Sequence, residues 1–468
     1  MAETTTVPRS LARTPSERSG AVIEVLHAQL SGMAGAIPEP KLAGPLQHFA
    51  GAALWARCNL DCETRRESLA SRLDGLRTRA AEVLGTNEDH GSDLSDLIVV
   101  AGRAAERGVD GARALLDDLL LTARDLEEGS VAAADADDAD APPAQVDVEA
   151  MTTYLRDRFG DETEAHDVHY ITGGFSKHTI LVTATIEGER QEIIVRQVPR
   201  GRHWEDLPLE YAVLSHVWSP ELPLAEPLWL EMDEGKLGGI FTVSRKAAGS
   251  NLGDVFGASG AAVPEQFCLD LADFLATLHA IDPTGIEKAP VVPMRTPEEI
   301  NAAIDEMEGK AAASAGIGPR LEAVFAWLRA NVPQDAGSAA IVHGDVGMHN
   351  TLQDDGRLSA VLDWERAHFG DPAEDLAYLK PTLSPVFSWD AFMDRYEAAG
   401  GTRPDPASER FYTVWQDVWR HVECLVLGED FFDQRGVPML IAGFVLGPQF
   451  LASAVATAFG PAERASVA

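Results

Sequence analysis

The chain has 468 residues, too many for one ordinary hydrophobic core and enough for two or three domains. Its formal net charge of −36 favours solubility and opposes any general attraction to nucleic acid or anionic lipid, so neither is expected as a partner. Hydrophobic residues make up 45%, which excludes a disordered chain, and four cysteines in this length make no disulfide framework, so a reduced cytoplasmic compartment is expected.

The opening stretch, MAETTTVPRSLARTPSERSG, lacks the apolar core of a secretion signal, and residues 1–19 are expected as a flexible N-terminus. No later run is apolar enough to span a bilayer, so no membrane partner is expected. Residues 20–128 read as helical. Leu69, Leu73, Leu76, Ala80 and Leu84 recur at spacings of three and four, as do Leu94, Leu97 and Ile98, and then Ala112, Leu115, Leu116 and Leu119. Cys58 and Cys62 lie four apart in CNLDC, but no histidine or second cysteine pair accompanies them, and they read as ordinary helix cysteines rather than half a metal site. No catalytic constellation falls in this region. It is expected to be a docking or structural module, serving a protein partner or self-association.

The stretch EEGSVAAADADDADAPPAQVD (127–147) is small, acidic and proline-bearing, and cannot bury enough apolar surface to fold. A linker is drawn at 129–149. Beyond it, VHYIT (168–172), TILVTATI (179–186), EIIVRQV (192–198) and GIFTVS (239–244) predict a small antiparallel sheet, interrupted by one helix over 205–218. Residues 150–248 form this β-rich lobe. From 249 to 468 the pattern is mostly helical, with two short strand-like runs, AAIV and SAVLDW. The fold class is thus α+β: a small antiparallel β lobe, then a larger helical lobe, preceded by an all-α module. A cleft between the lobes is the natural ligand site.

Three groups of residues carry candidate chemistry. In GGFSKHT, the glycines allow tight turns and a backbone close enough to offer N–H groups to phosphate oxygens, although a Gly-Gly hairpin is equally at home as a plain turn. Arg196 lies mid-strand and Glu210 follows on the predicted helix. A lone strand arginine points to solvent more often than not, but one aimed into a cleft and oriented by a glutamate can hold two phosphate oxygens. Finally, HGDVGMHN (343–350) sits on a loop between apolar runs. There Asp345 can accept or orient a hydroxyl proton, the Asn350 carbonyl oxygen can ligate magnesium, and Asp363 at the end of SAVLD supplies a second metal carboxylate. Oxygen ligands and a phosphate clamp together are what phosphoryl transfer requires.

HGDVGMHN followed by VLDWERAHFGDPAEDLAYL resembles the phosphotransferase signature of the aminoglycoside phosphotransferase and choline kinase superfamily, over roughly residues 150–460. The resemblance implies a bilobal protein-kinase-like fold and transfer of the γ-phosphoryl of ATP, with Mg2+, to a hydroxyl of a small molecule. It implies Asp345 as the catalytic base and Asn350 and Asp363 as magnesium ligands. Arg196 would take the place of the strand lysine that contacts phosphates, with Glu210 as its helix partner, and Gly173, Gly174, Phe175, Ser176 and Lys177 would form the phosphate-covering loop. Protein kinases carry HRD and DFG in these places, whereas this chain has HGD and DWE, which points to a small-molecule kinase. By the same resemblance, arginine for lysine is usual in one broad branch of the superfamily, which includes relatives acting on hydroxyacyl-CoA compounds.

Asp375 is expected to cap or brace the loop, Asp371-Pro372 to start a helix, and His343 to pack and hold the loop, while Glu365 is a weak candidate for a metal-bound water. The acceptor pocket is expected from the late helices at 411–432, where Trp415 and Trp419 lie one turn apart near His421 and Glu423. Arg200 and Arg202 would suit a CoA thioester or merely a solvated turn. The competing reading is a catalytically silent nucleotide-binding scaffold. Retention of Asp345, Asn350 and Asp363 favours the enzyme.

Overall fold

The computed structural model describes residues 62–84, 94–127, 146–171, 177–198, 207–254, 257–258, 263–286, 296–314, 316–334, 340–433 and 442–460. The chain divides into two compact units, one built on residues 1–140, 301–332 and 410–468 and the other on 141–300 and 333–409. The first break, between residues 140 and 141, falls within the linker drawn at 129–149, while no break falls at 249. The described N-terminal helices share their unit with two later stretches of the chain.

The second unit contains the sheet. Strands β1 (Glu164–Ile171), β2 (His178–Ile186), β3 (Glu189–Gln197), β4 (Pro227–Glu231) and β5 (Phe241–Arg245) pair antiparallel in the order β1-β2-β3-β5-β4. The period-two pattern of β2 buries Ile180, Val182, Ala184 and Ile186 on one face, joined there by Ile193 and Val195 of β3. Each such aliphatic side chain contributes about 1.5–3 kcal/mol by leaving water. The β2–β3 turn is two residues long, and Glu187 and Gly188 have φ of 52° and 81°, the two positive angles that a tight hairpin matching strand twist needs. Strand β4 was not anticipated from sequence. It is short, opens on a proline and lies at the sheet edge, where no N–H is owed to a neighbour on one side. The helix Leu207–Val217 separates β3 from β4 and buries Leu209, Glu210 and Val213.

A second core in the same unit surrounds the helix Glu265–Ala280, whose Phe267, Leu271, Phe274 and Leu275 pack with Trp364, Leu379 and Phe392. Above it lie four short strands: β6 (Ala340–Val342), β7 (Thr351–Asp354), β8 (Arg357–Val361) and β9 (His368–Gly370). Strand β6 pairs with β9, and β7 with β8. The candidate loop runs from the end of β6 to the start of β7.

The first unit is helical in its described residues. Leu76, Ala80, Leu97, Ile98, Leu115 and Leu119 are buried, as the spacing of three and four requires. Arg410 ties this unit together. Its guanidinium donates to Thr457 O (3.0 Å) and Ala458 O (2.8 Å), the last carbonyls of the helix Ala442–Phe459. It also lies 3.6 Å from Glu106 and over the Trp327 ring. A cation at helix-terminal carbonyls satisfies acceptors the helix cannot. Residues 128–145, with most of the predicted linker, and residues 1–19 lie outside the described residues, as does Cys58. No described helix is long and apolar enough to cross a membrane.

Arg410→Ala is expected to destabilise this unit by about 1–3 kcal/mol, since several charge-assisted bonds vanish together. Urea unfolding followed by proteolysis within 94–127 checks it, and increased cleavage there is the expected result.

Candidate functional site

The loop His343–Asn350 is held from beneath by one buried carboxylate. Asp375 sits in the first turn of the helix Ala373–Leu383. Its Oδ2 accepts from the His343 backbone N–H (2.9 Å) and its Oδ1 from that of Gly344 (2.8 Å), while His279 Nε2 lies 3.1 Å from Oδ2. Burial alone would raise this carboxyl, but His279, then His343, outweigh it and hold it below its ordinary value. Gly344 has φ +78°, and a Cβ there would stand 2.7 Å from Arg366 O. At this backbone position only glycine fits. His343 is fully buried. Its Nδ1 accepts from the Asp345 N–H (3.2 Å), its Nε2 donates to Leu362 O (3.0 Å), and its ring packs against Trp364.

Asp345 is thereby presented with its carboxylate divided in use. Oδ2 accepts from Asn350 Nδ2 (2.9 Å), while Oδ1 is buried and accepts no hydrogen bond of full geometry, its neighbour being His349 Nε2 at 3.5 Å. Burial raises the carboxyl, but nearby His349, then Tyr378 and Arg366, outweigh it and hold it below its ordinary value, so it is ionised at neutral pH. Asn350 spends its two amide hydrogens on Asp345, on Oδ2 and on the backbone oxygen (3.0 Å). Its Oδ1 is the atom left to ligate a cation. The Leu362 N–H donates to Asn350 O (2.8 Å), so the β7–β8 ladder brings Asn350 beside Asp363. Asp363 lies two residues beyond the end of β8 and has φ +65°, a left-handed conformation that an aspartate tolerates better than most residues.

Around Asp363 gathers a cluster of charges. Arg196 Nη2 donates to Asp363 Oδ1 at 2.7 Å, and its Nη1 lies 3.8 Å from Glu210 Oε1. The Arg196 Nε is buried and donates to nothing. Lys177, buried, donates to Glu210 Oε2 (2.5 Å) and Glu365 Oε2 (2.9 Å). The expected Arg196–Glu210 partnership is therefore the looser one. Glu210 is taken first by Lys177, and Arg196 binds the carboxylate expected to hold metal. Burial works against both cations, but carboxylates outweigh it: Asp363 first for Arg196, Glu210 first for Lys177, and both groups are raised. Gly173, Gly174, Phe175 and Ser176 lie outside the described residues, as do Arg200 and Arg202. Glu365 was underrated from sequence, because nothing in DWE announces that its third residue meets a lysine 188 positions earlier.

The donor set suits a hard cation. Asn350 Oδ1 and an Asp363 oxygen leave most positions to phosphate and water, as magnesium prefers. Among the described residues no three His, Cys, Asp or Glu side chains form a metal cluster. Two cations face three carboxylates here, a formal excess of negative charge that a divalent cation beside Asp363 would relieve. Two of the remaining candidates belong to the helical unit: Trp415 is buried there, and so is His421, its Nδ1 donating to Gly447 O (2.9 Å) while burial pushes its pKa down to about 4.

Asp375→Asn is expected to cost about 3 kcal/mol or more at pH 7, because a buried partner of two N–H groups and a histidine is lost. Asp375 has a depressed pKa, so its contribution is complete above the unfolded value of about 3.9 and disappears as pH falls through the folded value. Denaturant melts at pH 7 and pH 3 should therefore show the gap between wild type and variant closing in acid.

Comparison with known proteins agrees with this geometry. The family model described as the phosphotransferase enzyme family matches residues 167–412, just over half the chain. Acyl-CoA dehydrogenase family member 11 of Mus musculus is 25% identical over 251 residues, 51% of this chain and 31% of that protein, so the chain spans under a third of that relative's length. Viomycin phosphotransferase of Streptomyces vinaceus is 36% identical over 81 residues, 16% of this chain and 26% of its own. A solved structure from Ralstonia eutropha, assigned as an aminoglycoside phosphotransferase, aligns with TM-score 0.52 and 19% identity over 67% of this chain and 98% of its own, a likeness of fold. The mixed α and antiparallel β architecture, the loop braced under Asp345 and the family match lead to one conclusion: the chain belongs to the phosphotransferase enzyme family.

Proposed function

We propose that the chain transfers the γ-phosphoryl of ATP to a hydroxyl of a small molecule, with Asp345 facing the acceptor and Arg196 and Lys177 facing the phosphates. The observation that carries this reading is a pair of orphaned buried atoms, Asp345 Oδ1 and Arg196 Nε. One is an acceptor without a donor and the other a donor without an acceptor, and each costs about 1–3 kcal/mol unless a ligand meets it. An acceptor hydroxyl would meet the first and a phosphate oxygen the second.

Asp345, held as a carboxylate, is a weak base. Its work is to orient the hydroxyl oxygen for in-line attack and to take the proton late, which suits a loose phosphoryl transition state. Asn350 fixes the Asp345 rotamer through Oδ2, keeping Oδ1 turned to the acceptor. When bound between Asn350 and Asp363, magnesium would neutralise charge on the phosphate oxygens. Arg196 would have to loosen from Asp363 for that, freeing its planar fork for phosphate. Gly173, Gly174, Phe175 and Ser176 complete this reading as the phosphate-covering loop.

For the acceptor we favour a hydroxyacyl-CoA or similar small alcohol over an aminoglycoside. The support is the run of matches to acyl-CoA dehydrogenase family member 11 across 201 to 271 residues, against 81 for viomycin phosphotransferase. A cytoplasmic setting belongs to the same reading, and Cys268 and Cys424 are buried free thiols in keeping with it. The N-terminal helices would then serve a protein partner or self-association.

Asp345→Asn is expected to lower kcat at least about 100-fold with nucleotide KM changed less than about threefold, in steady-state assays over hydroxylated acceptors. A retained kcat would remove Asp345 from the chemistry. Asp363→Ala should abolish the magnesium-dependent part of nucleotide affinity in calorimetry, and an unchanged magnesium response would remove Asp363 from the metal site.

A further inference from the structure

We propose that Lys177 is the phosphate-side lysine of this site and that Glu365 is a positioning residue acting through it. The inference rests on the phosphotransfer reading and reassigns its parts. Position 196 on β3 carries an arginine whose nearest carboxylate is Asp363 at 2.7 Å, with Glu210 at 3.8 Å. The glutamate of the helix Leu207–Val217 is instead claimed by Lys177, one residue before β2, at 2.5 Å. The lysine–glutamate pair is thus present, but its lysine comes from the preceding strand.

Lys177 has a side chain 1% exposed, and an ammonium that deep persists only if carboxylates surround it. It has two, Glu210 and Glu365. An ammonium carries three N–H donors, so these two leave one for an anionic oxygen. Arg196 stands close enough to oppose the charge on Lys177. A fold gains nothing from packing two cations together, whereas a polyanionic ligand does. Glu365 is two residues beyond Asp363, so the loop that carries the candidate metal carboxylate also holds the lysine. A shift of that loop moves both.

The test is a double-mutant cycle on nucleotide binding, using Lys177→Met, Glu365→Gln and the pair, with ADP and a non-hydrolysable ATP analogue titrated calorimetrically. Lys177→Met is expected to weaken the analogue at least about tenfold, the loss of one charge-assisted bond. Glu365→Gln should weaken it severalfold in the wild-type background and not at all beside Lys177→Met. In turnover, Glu365→Gln should raise nucleotide KM more than it lowers kcat. A Lys177→Met protein that binds within about twofold of wild type would overturn the proposal, as would equal Glu365→Gln costs in both backgrounds. If the buried variant does not fold, Glu365→Gln carries the test, since its side chain is 21% exposed, and unchanged nucleotide affinity there overturns the proposal. Because binding is read without turnover, an enzyme that binds nucleotide and transfers nothing would sink the phosphotransfer reading while leaving Lys177 separately judged.

Discussion

Everything in the candidate site depends on one carboxylate that never meets a ligand. Asp375 takes the N–H groups of two successive loop residues, His343 and Gly344, and is itself held by His279 from the helix Glu265–Ala280. Two bonds to adjacent amides fix both the position and the tilt of the loop. Gly344 then turns left-handed against Arg366 O, and Asp345 emerges with its Oδ1 unclaimed. A loop held this rigidly loses little further entropy when a substrate arrives, which is the economy of a preorganised site.

The charge cluster supplies the opposite quality. Lys177, Arg196, Glu210, Asp363 and Glu365 are drawn from β3, the edge of β2, one helix and the loop after β8. Buried ion pairs of this kind are poor sources of stability, because desolvation offsets most of the attraction. Their arrangement is informative for another reason. The Arg196–Asp363 bond joins a group suited to phosphate with one suited to metal, so in the proposed reading nucleotide and cation would exchange these partners with the protein.

Much of this was legible in the sequence, and the limits of legibility are physical. HGDVGMHN and LDW pointed to Asp345, Asn350 and Asp363, which the structure brings to neighbouring loops, because spacing along a loop survives folding, and Asp375 was readable as a cap or brace because it opens a helix after Asp371-Pro372. The β2 and β3 strands were visible through their period of two, while β4 was hidden by a proline and its edge position. Arg196 and Glu210 were expected as a pair and stand 3.8 Å apart, but the closer partner of each, Asp363 for Arg196 and Lys177 for Glu210, was not foreseen. A contact between residues far apart depends on which side chain arrives first, and Lys177 reaches Glu210 from a position that sequence order made look like loop. The grouping of the described N-terminal helices with residues 301–332 and 410–468 had no sequence signal at all, since amphipathic spacing says that a face is buried and not against what.

The central claim is that this geometry moves a phosphoryl group onto a small-molecule hydroxyl. Its most direct measurement is mass spectrometry of a panel of hydroxyacyl-CoA thioesters, simple hydroxy acids and aminoglycosides after incubation with the full chain, ATP and magnesium. The account predicts phosphate on the hydroxyl of a CoA-linked acceptor, dependent on Asp345. ATP consumed with phosphate appearing on no acceptor, or transfer that persists in Asp345→Asn, would contradict it.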